Sequence, residues 1–521
     1  MPFSGPRRAA VTVATVVVLA ACAPGIAANP KFVTNSGHGP HGGAATTPAA
    51  PPGPPKIQAP KNDLSWRDCT SQLFSEASVP PPAGVTLDCA TFDSDLDPIN
   101  NATGTVTVGV VRARSAQTPT DAGPLVVTTG WGTPTSVQLP VWLTRAGADV
   151  LKSRPIVAVD RRGLGKSDAL DCRDAYDRQE MHDQAQSESG DDPVANLAAI
   201  TVTATTNCTD VIAPGDGAYD NVHAAEDIER LRTTWDVPAL ALLGIGNGAQ
   251  VALAYAARHP DNVARLVLDS PIPPAVSAEA AEEQQVKGEQ AALDAFAQQC
   301  VAVNCPLGPD PKGAIDGILA SARGGHGPGG GSVAAITDAI ATALALPSGD
   351  LTSTTNALAA ALASARSGDV NQLNNLINQA QSLRDTDGQF VNRCSDSLNR
   401  PTPDRVRELY VAWGKTYPQF GAVGALDLVK CLSWPSGNAP PDPKNLKVNV
   451  LLMGGQNDAM VGNEGVGAVS AAVINAGVSS KRVMWQGTGH GVSIYAACAL
   501  PPMIGYLDSG NLPRTDTYCP A

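Results

Sequence analysis

The sequence of 521 residues predicts an α/β protein, with a mostly parallel sheet that is covered by helices on both faces. Short runs of β-branched and aliphatic residues alternate with helical stretches, among them PLVVTTG, PIVAVD, ALALLG, RLVLD and VNVLLMG. These runs are apolar on both strand faces, which is typical of buried parallel strands. Two helices are well marked, since 224–235 leads into ALALLG and 247–259 stops at Pro260.

The strand and helix alternation also predicts the domain organisation. Residues 61–270 form the first part of the α/β core, and residues 437–521 form the second part. Between them, residues 271–436 are rich in Ala, Gln and Leu at helical spacing, as in AITDAIATALAL, so we expect an inserted helical cap.

Composition and charge exclude one class of partner. Apolar residues make up 43% of the chain and charged residues only 16%, which fits a globular protein. The net charge is −13, and no basic run is longer than a pair such as Arg7–Arg8 or Arg161–Arg162. No nucleic acid is therefore expected as a partner.

The first 22 residues predict an export signal of the lipoprotein type. Two arginines precede an apolar stretch, residues 9–21, that is short for a membrane span. The stretch closes on LAAC, in which Cys22 resembles the lipidated cysteine of bacterial lipoproteins; the alternative is an ordinary cleaved signal. Residues 23–60, rich in Gly, Pro and Ala, are expected to be a flexible tether. We expect an exported protein, held on the cell membrane by its lipid and facing the exterior of the envelope.

Cysteine usage supports export independently. The chain has 11 cysteines, so an even ten remain after Cys22 and can form disulfides outside the cytoplasm. Many connectivities are open, and chain order suggests that neighbours pair: Cys69 with Cys89, Cys172 with Cys208, Cys300 with Cys305, Cys394 with Cys431, and Cys498 with Cys519.

No metal or cofactor is predicted. The cysteines lack zinc-type C-x-x-C spacing, and the histidines form no H-E-x-x-H motif. The segment GHGPGG (325–330) matches a dinucleotide fingerprint only formally, because no strand precedes it and no βαβ unit surrounds it.

The segment ALLGIGNGAQ (241–250) contains the position on which the functional interpretation depends. It has the pattern of a strand, a tight glycine turn and a helix. In α/β-hydrolases this turn is G-x-S-x-G, because it lifts the nucleophilic serine out of the sheet. Gly244 and Gly248 occupy the outer glycine positions, but Gly246 stands in place of the serine. Glycine offers no atom that could form an acyl-enzyme.

Six segments in a fixed order carry a family resemblance. They are DRRGLGKS (160–167), DNVHAAEDIERLR (220–232), GIGNGAQVALAYAARHPDNVARLVLDSPIPP (244–274), CLSWP (431–435), LLMGGQNDAMV (451–461) and GTGHGVS (487–493). The chain resembles the exported tripeptidyl aminopeptidase group of α/β-hydrolases, serine peptidases of actinobacterial envelopes, from Trp66 to Cys519. The resemblance implies the α/β-hydrolase fold, a mostly parallel central sheet flanked by helices with an inserted helical cap.

The resemblance also implies the roles of individual residues. Asp458 would be the acid and His490 the base, which together with position 246 gives the order nucleophile, acid, histidine that the fold requires. His490 would take the nucleophile's proton and return it to the leaving group, while Asp458 orients the imidazole. The backbone amides of Trp131 and Asn247 would form the oxyanion hole.

Two departures from the family shape the functional prediction. Besides Gly246, the segment TGWGT (129–133) replaces the family's H-G-G-P-G oxyanion loop. Together they favour natural divergence to a pseudoenzyme, which keeps a pocket under the cap for a small-molecule or peptide ligand, a lipid or a partner protein. The alternative is an active hydrolase, an exported peptidase in which His490 activates water directly. A purely structural lipoprotein is a third possibility, which the retention of Asp458 and His490 does not support.

Overall fold

A computed structural model describes residues 54–100, 102–186, 190–435, 437 and 439–521. The predicted signal peptide (1–22), its lipidation site Cys22 and residues 23–53 of the predicted tether lie outside the described residues. In the described ranges, no helix has the length and apolarity needed to cross a membrane.

Ten strands within the described residues form one sheet. They are β1 (Arg67–Asp68), β2 (Val85–Asp97), β3 (Ala102–Ser115), β4 (Leu125–Thr128), β5 (Ile156–Val159), β6 (Leu240–Ile245), β7 (Val263–Asp269), β8 (Val450–Asn457), β9 (Ser480–Thr488) and β10 (Thr517–Cys519). Their order is β1-β2-β3-β5-β4-β6-β7-β8-β9-β10, antiparallel as far as β5 and parallel from there on. The prediction of a mostly parallel sheet is confirmed.

The helices of the described residues surround this sheet and build a separate layer. They are α1 (Thr70–Glu76), α2 (Thr135–Leu143), α3 (Ala175–His182), α4 (Pro193–Ile212), α5 (Asn221–Trp235), α6 (Asn247–Arg258), α7 (Ala278–Ala302), α8 (Pro311–Arg323), α9 (Val333–Ala345), α10 (Leu351–Arg366), α11 (Asn371–Arg384), α12 (Asp387–Asp396), α13 (Pro403–Thr416), α14 (Gly421–Asp427), α15 (Gly465–Asn475), α16 (Val492–Tyr495) and α17 (Leu500–Ser509).

Two cores, one on each face, fix the sheet between its helices. Along β4, Leu125 and Val127 pack with residues of α1, α2, α16 and α17, whereas Val126 packs with residues of α5, α6 and α15. This alternation follows from the period of two in a strand, and both faces are apolar because both are covered.

A helical layer forms the remaining cores and draws on two stretches of the chain. Helices α7 to α14 correspond to the predicted cap, and Leu293, Ile340 and Leu362 lie in their shared core. Helices α3 and α4, which the sequence analysis placed in the first part of the α/β core, also pack there, since Met181 and Cys208 share a cluster with α12. We use "helical layer" for α3, α4 and α7 to α14 together.

The structure joins the five cysteine pairs that chain order suggests. Three of these disulfides lie in the helical layer. Cys300–Cys305 links the end of α7 to the turn after it. Cys172–Cys208 links α4 to the segment before α3, and Cys394–Cys431 links α12 to the turn that follows α14. Such cross-links stabilise a fold mainly by restricting the unfolded chain.

Candidate active site

Four segments that follow the parallel strands β4, β6, β8 and β9 meet at one edge of the sheet. They carry the predicted site residues Trp131, Gly246, Asp458 and His490. The carboxyl ends of parallel strands open on the same edge, which is where α/β folds place their ligands. The structure therefore brings together the residues that the family resemblance singled out.

His490 and Asp458 form a buried pair. The imidazole Nδ1 lies 2.9 Å from Oδ2 and 3.0 Å from Oδ1 of Asp458. Backbone amides of Met460 and Val461 also donate to Oδ1 of Asp458. Burial lowers the pKa of His490, but the charge and hydrogen bond of Asp458 outweigh it and raise this pKa above the ordinary value. This is the arrangement that orients a catalytic histidine and stabilises its charged form.

Gly246 has the backbone of a nucleophile turn, and the ring of His490 lies close over it. Its φ of 59° and ψ of −123° lie in a region that residues with a Cβ rarely adopt. A Cβ built on Gly246 would lie 2.7 Å from Nε2 and 2.8 Å from Cε1 of His490. A serine at position 246 would therefore require a small shift of the imidazole, which is the far end of its side chain.

The outer glycines of the turn allow the close approach of strand and helix. A Cβ on Gly244 would lie 2.3 Å from the carbonyl oxygen of Gly248, and one on Gly248 would lie 1.9 Å from that of Thr128. Both contacts are with backbone atoms, which cannot move aside independently. The G-x-x-x-G spacing read from the sequence therefore has the steric basis expected of this turn.

The oxyanion loop differs from the prediction. The backbone amide of Trp131, expected to be open to substrate, donates to the side-chain Oδ1 of Asn247 at 3.1 Å. The Asn247 side chain turns back over the loop. Gly130 makes room for it, because a Cβ there would lie 2.3 Å from Oδ1 of Asn247. A carboxamide of the chain itself thus fills the place predicted for an acyl oxygen.

A buried network holds the Asn247 carboxamide at both ends. Arg161 Nη1 donates to Oδ1 of Asn247 at 2.9 Å and to Oδ2 of Asp396 at 2.6 Å. Nδ2 of Asn247 donates to Oε1 of Gln250 at 2.7 Å. Asp396 ends α12, so the network connects the turn to the helical layer. The sequence analysis assigned no role to Arg161 or Asp396.

Two cavities lie beneath the helical layer. Trp131, Glu282, Gln285 and Arg393 line both, so the cavities adjoin, and neither is lined by Gly246 or His490. We call the one that His182, Glu289 and Lys430 also line the chamber. Its charged walls comprise Glu282, Glu289, Asp338, Asp385, Asp427, Arg384, Arg393 and Lys430, together with His182.

The chamber contains polar groups that the protein does not satisfy. Burial raises the pKa of Glu282 to about 7 despite its ion pair with Arg393, and burial raises the pKa of Glu289 to about 8. Among the described residues, Oε1 of Glu282, Nε2 of His182 and Nε1 of Trp131 are buried without a hydrogen-bond partner. Buried polar atoms are normally paired, so such atoms around one cavity indicate a site for a polar ligand.

The sequence contained a signal for part of the chamber. Glu282, Gln285 and Glu289 line it from α7, and their spacing of three and four residues places them on one helix face. The run AEEQQVKGEQ could have been read in that way. In the part of the chain that the structure describes, no group of three or more His, Cys, Asp or Glu side chains could hold a metal ion.

Comparisons with known proteins agree with the fold. The family model described as alpha/beta hydrolase fold matches residues 123–312, and the model described as TAP-like protein matches residues 417–519. The chain has the α/β-hydrolase fold, and its C-terminal part is similar to TAP-like proteins.

Individual relatives are distant. Serine protease Hip1 of Mycobacterium tuberculosis is 29% identical over 164 residues, which are 31% of this chain and only 32% of that protein. Carboxylesterase B of Mycobacterium tuberculosis is 26% identical over 520 residues, covering 92% of each chain. The solved esterase RhEst1 from Rhodococcus is 16% identical, with a TM-score of 0.36 over 80% of this chain and 99% of that one.

Proposed function

We propose that this protein is an exported, lipid-anchored member of the α/β-hydrolases that has lost acyl-transfer chemistry and binds a ligand in the chamber. The observation that carries the proposal is the absence of a nucleophile at the turn. Gly246 has no nucleophilic atom, and Nε2 of His490 lies only 2.7 Å from where its Cβ would be.

The chemical consequence follows from the role of the nucleophile. In serine hydrolases the serine forms the acyl-enzyme, and the histidine serves it by moving a proton. Loss of the serine in subtilisin costs about 10⁶ in kcat and leaves roughly 10³ to 10⁴ over water. That remnant depends on an open oxyanion hole, whereas here the Trp131 amide is engaged by Asn247. We therefore expect no covalent catalysis.

An active hydrolase that uses water is the second candidate, and the intact His490–Asp458 pair is the observation that favours it. Water activation requires a neutral imidazole with space at Nε2. Asp458 raises the pKa of His490. The Trp131 amide is engaged by Asn247 and would not stabilise the oxyanion that attack by water forms, which works against this candidate.

The charges of the chamber indicate the class of ligand. Five carboxyl groups line it against three permanently cationic side chains. A ligand that brings a positive charge would stabilise the ionised forms of Glu282 and Glu289. In the resembled peptidases, acidic groups under the cap receive the free amine of the substrate. We therefore favour a peptide with a free amino terminus over a lipid or a partner protein.

Calorimetric titration with the tripeptide Ala-Ala-Ala and its N-acetylated form tests the proposal. The free peptide is expected to bind and the acetylated one to bind much more weakly. Because Glu282 and Glu289 have pKa values of about 7 and 8, binding near neutral pH should release protons, so the measured heat should differ between buffers of different ionisation enthalpy.

Two variants and a product analysis complete the test. Glu289→Gln should weaken binding of Ala-Ala-Ala, whereas Glu408→Gln, on an exposed side chain of α13, should leave it unchanged. Mass spectrometry of the titrated peptide should find it intact. Equal binding of both peptides, or rapid cleavage, would contradict the proposal.

The location is a proposal of the same kind. It is supported by the apolar stretch that ends at Cys22 and by the five disulfides of the described residues. Metabolic labelling with a radioactive fatty acid should mark the protein, and Cys22→Ala should abolish both the label and recovery in the membrane fraction.

A further inference from the structure

The Asn247 side chain stands where a hydrolase binds the oxygen of its substrate. We propose that Asn247 is an internal ligand of the oxyanion site and excludes acyl-type ligands, such as esters and fluorophosphonates, from the reaction centre independently of the missing serine. This inference rests on the proposed function, in that it takes Gly246 and the amide of Trp131 as the remains of a hydrolase site.

The chemistry of the contact supports this role. The side chain of Asn247 ends in a carboxamide, whose carbonyl oxygen accepts a backbone hydrogen bond as an ester or peptide carbonyl does. Its Oδ1 receives the amide of Trp131 at 3.1 Å and Nη1 of Arg161 at 2.9 Å. An incoming acyl oxygen would have to displace Oδ1 before it could reach the Trp131 amide.

The surrounding residues hold the carboxamide in this orientation. Gln250 accepts from its Nδ2 at 2.7 Å, which fixes the amide so that oxygen rather than nitrogen faces the loop. Asn247 is 3% exposed. A Cβ on Gly130 would collide with Oδ1 at 2.3 Å, so the loop carries a glycine where the carboxamide packs. The contact is thus built into both the turn and the oxyanion loop.

The network also shows that removal of the Asn247 side chain would not leave the buried charge of Arg161 unpaired. Arg161 keeps both carboxylate oxygens of Asp396, at 2.6 and 3.1 Å, and the carbonyl oxygen of Tyr219. Asn247→Ala should therefore fold, while it frees the amide of Trp131.

Three variants labelled with a fluorophosphonate probe test the inference. They are Gly246→Ser, Gly246→Ser with Asn247→Ala, and Gly246→Ser with Asn221→Ala. In the reaction the introduced hydroxyl oxygen bonds to phosphorus, fluoride leaves, and the hydroxyl proton passes to His490. Asn221 is the matched control, because its Oδ1 also accepts from Arg161, at 3.1 Å, but it makes no contact with the Trp131 amide.

We expect the Asn247→Ala double variant to be labelled on the order of 100-fold faster than Gly246→Ser alone, the size of effect that one oxyanion donor has. The Asn221→Ala double variant should label as slowly as Gly246→Ser. If Gly246→Ser alone is labelled as fast as the Asn247→Ala double variant, the inference is overturned while the position of the reaction centre stands. If no folded variant is labelled, the inference and the proposed function fall together.

Hydrogen exchange in the otherwise unchanged protein gives a second readout that needs no serine. Exchange of the peptide containing Trp131 should be faster in Asn247→Ala than in the unmodified chain, because the amide loses its acceptor. Equal exchange in the two proteins would overturn the inference whatever the labelling shows.

Discussion

The reaction centre and the chamber lie close together under the helical layer, yet the polar groups of the first are paired and several polar groups of the second are not. At the reaction centre His490 is bonded to Asp458 and the Trp131 amide is bonded to Asn247. In the chamber, Glu282 and His182 keep buried atoms without partners, and burial raises the pKa of Glu289 to about 8.

The difference indicates which of the two places would gain more from a ligand. A site whose polar groups pair with one another is stable when empty and gains little from a ligand. A cavity with unpaired and partly protonated groups is costly when empty, so a ligand that satisfies them gains affinity. The chain has the first kind of site where a hydrolase would do chemistry and the second where it would hold a substrate.

The largest effect is expected from a substitution that forces the reaction centre apart. Gly248→Ala would place a Cβ 1.9 Å from the carbonyl oxygen of Thr128, so α6 must move away from β4. We expect a loss of about 3 kcal/mol or more in the free energy of unfolding, measured by denaturant titration. Gly505→Ala is the control, since nothing lies within 4 Å of its Cβ position in α17; a small loss for Gly248→Ala would show that the turn is not tightly packed.

The next effect concerns the chamber and depends on pH. The folded protein keeps Glu289 protonated up to about pH 8, whereas the unfolded carboxyl ionises near its usual pKa of 4.5. Between these values the folded state holds more protons, so the free energy of unfolding falls as pH rises. Glu289→Gln cannot ionise and should remove this fall, with a gain on the order of 2 kcal/mol above about pH 8. If the free energy of unfolding changed with pH in the same way for both proteins, Glu289 would not have a raised pKa in the chamber.

A smaller effect is expected at the histidine. Asp458→Asn removes the charge that raises the pKa of His490 and leaves the burial that lowers it. The pKa of His490, followed by NMR of its ring nitrogens, should therefore fall. An unchanged pKa would mean that His490 and Asp458 are not electrostatically coupled. It would contradict the statement that the polar groups of the reaction centre pair with one another.

Much of the fold could be read from the sequence, because its determinants are local. The strands are continuous apolar runs, and the turn at Gly246 is marked by glycines at fixed offsets. The order of Gly246, Asp458 and His490 then placed all three at one edge of the sheet. The packing of α3 and α4 with the helical layer could not be predicted, because helical spacing does not reveal which core a helix joins.

The parts of the site that could not be predicted from the sequence depend on side-chain orientation. Nothing in GIGNGAQ shows that the Asn247 carboxamide turns back to the Trp131 amide, since that requires Arg161 and Asp396 from distant segments. The close approach of the His490 ring to Gly246 likewise depends on packing. By contrast, the face of α7 that lines the chamber could be predicted from the helical spacing of its polar residues.

Turnover of a panel of aminoacyl and acyl esters, by the purified protein and by His490→Ala, tests the central claim most directly. If the reaction centre has no nucleophile, both proteins should give the same background rate on every ester. Turnover by the unmodified protein at ordinary enzymatic rates, about 1 to 10³ s⁻¹, that is lost in His490→Ala would contradict the account.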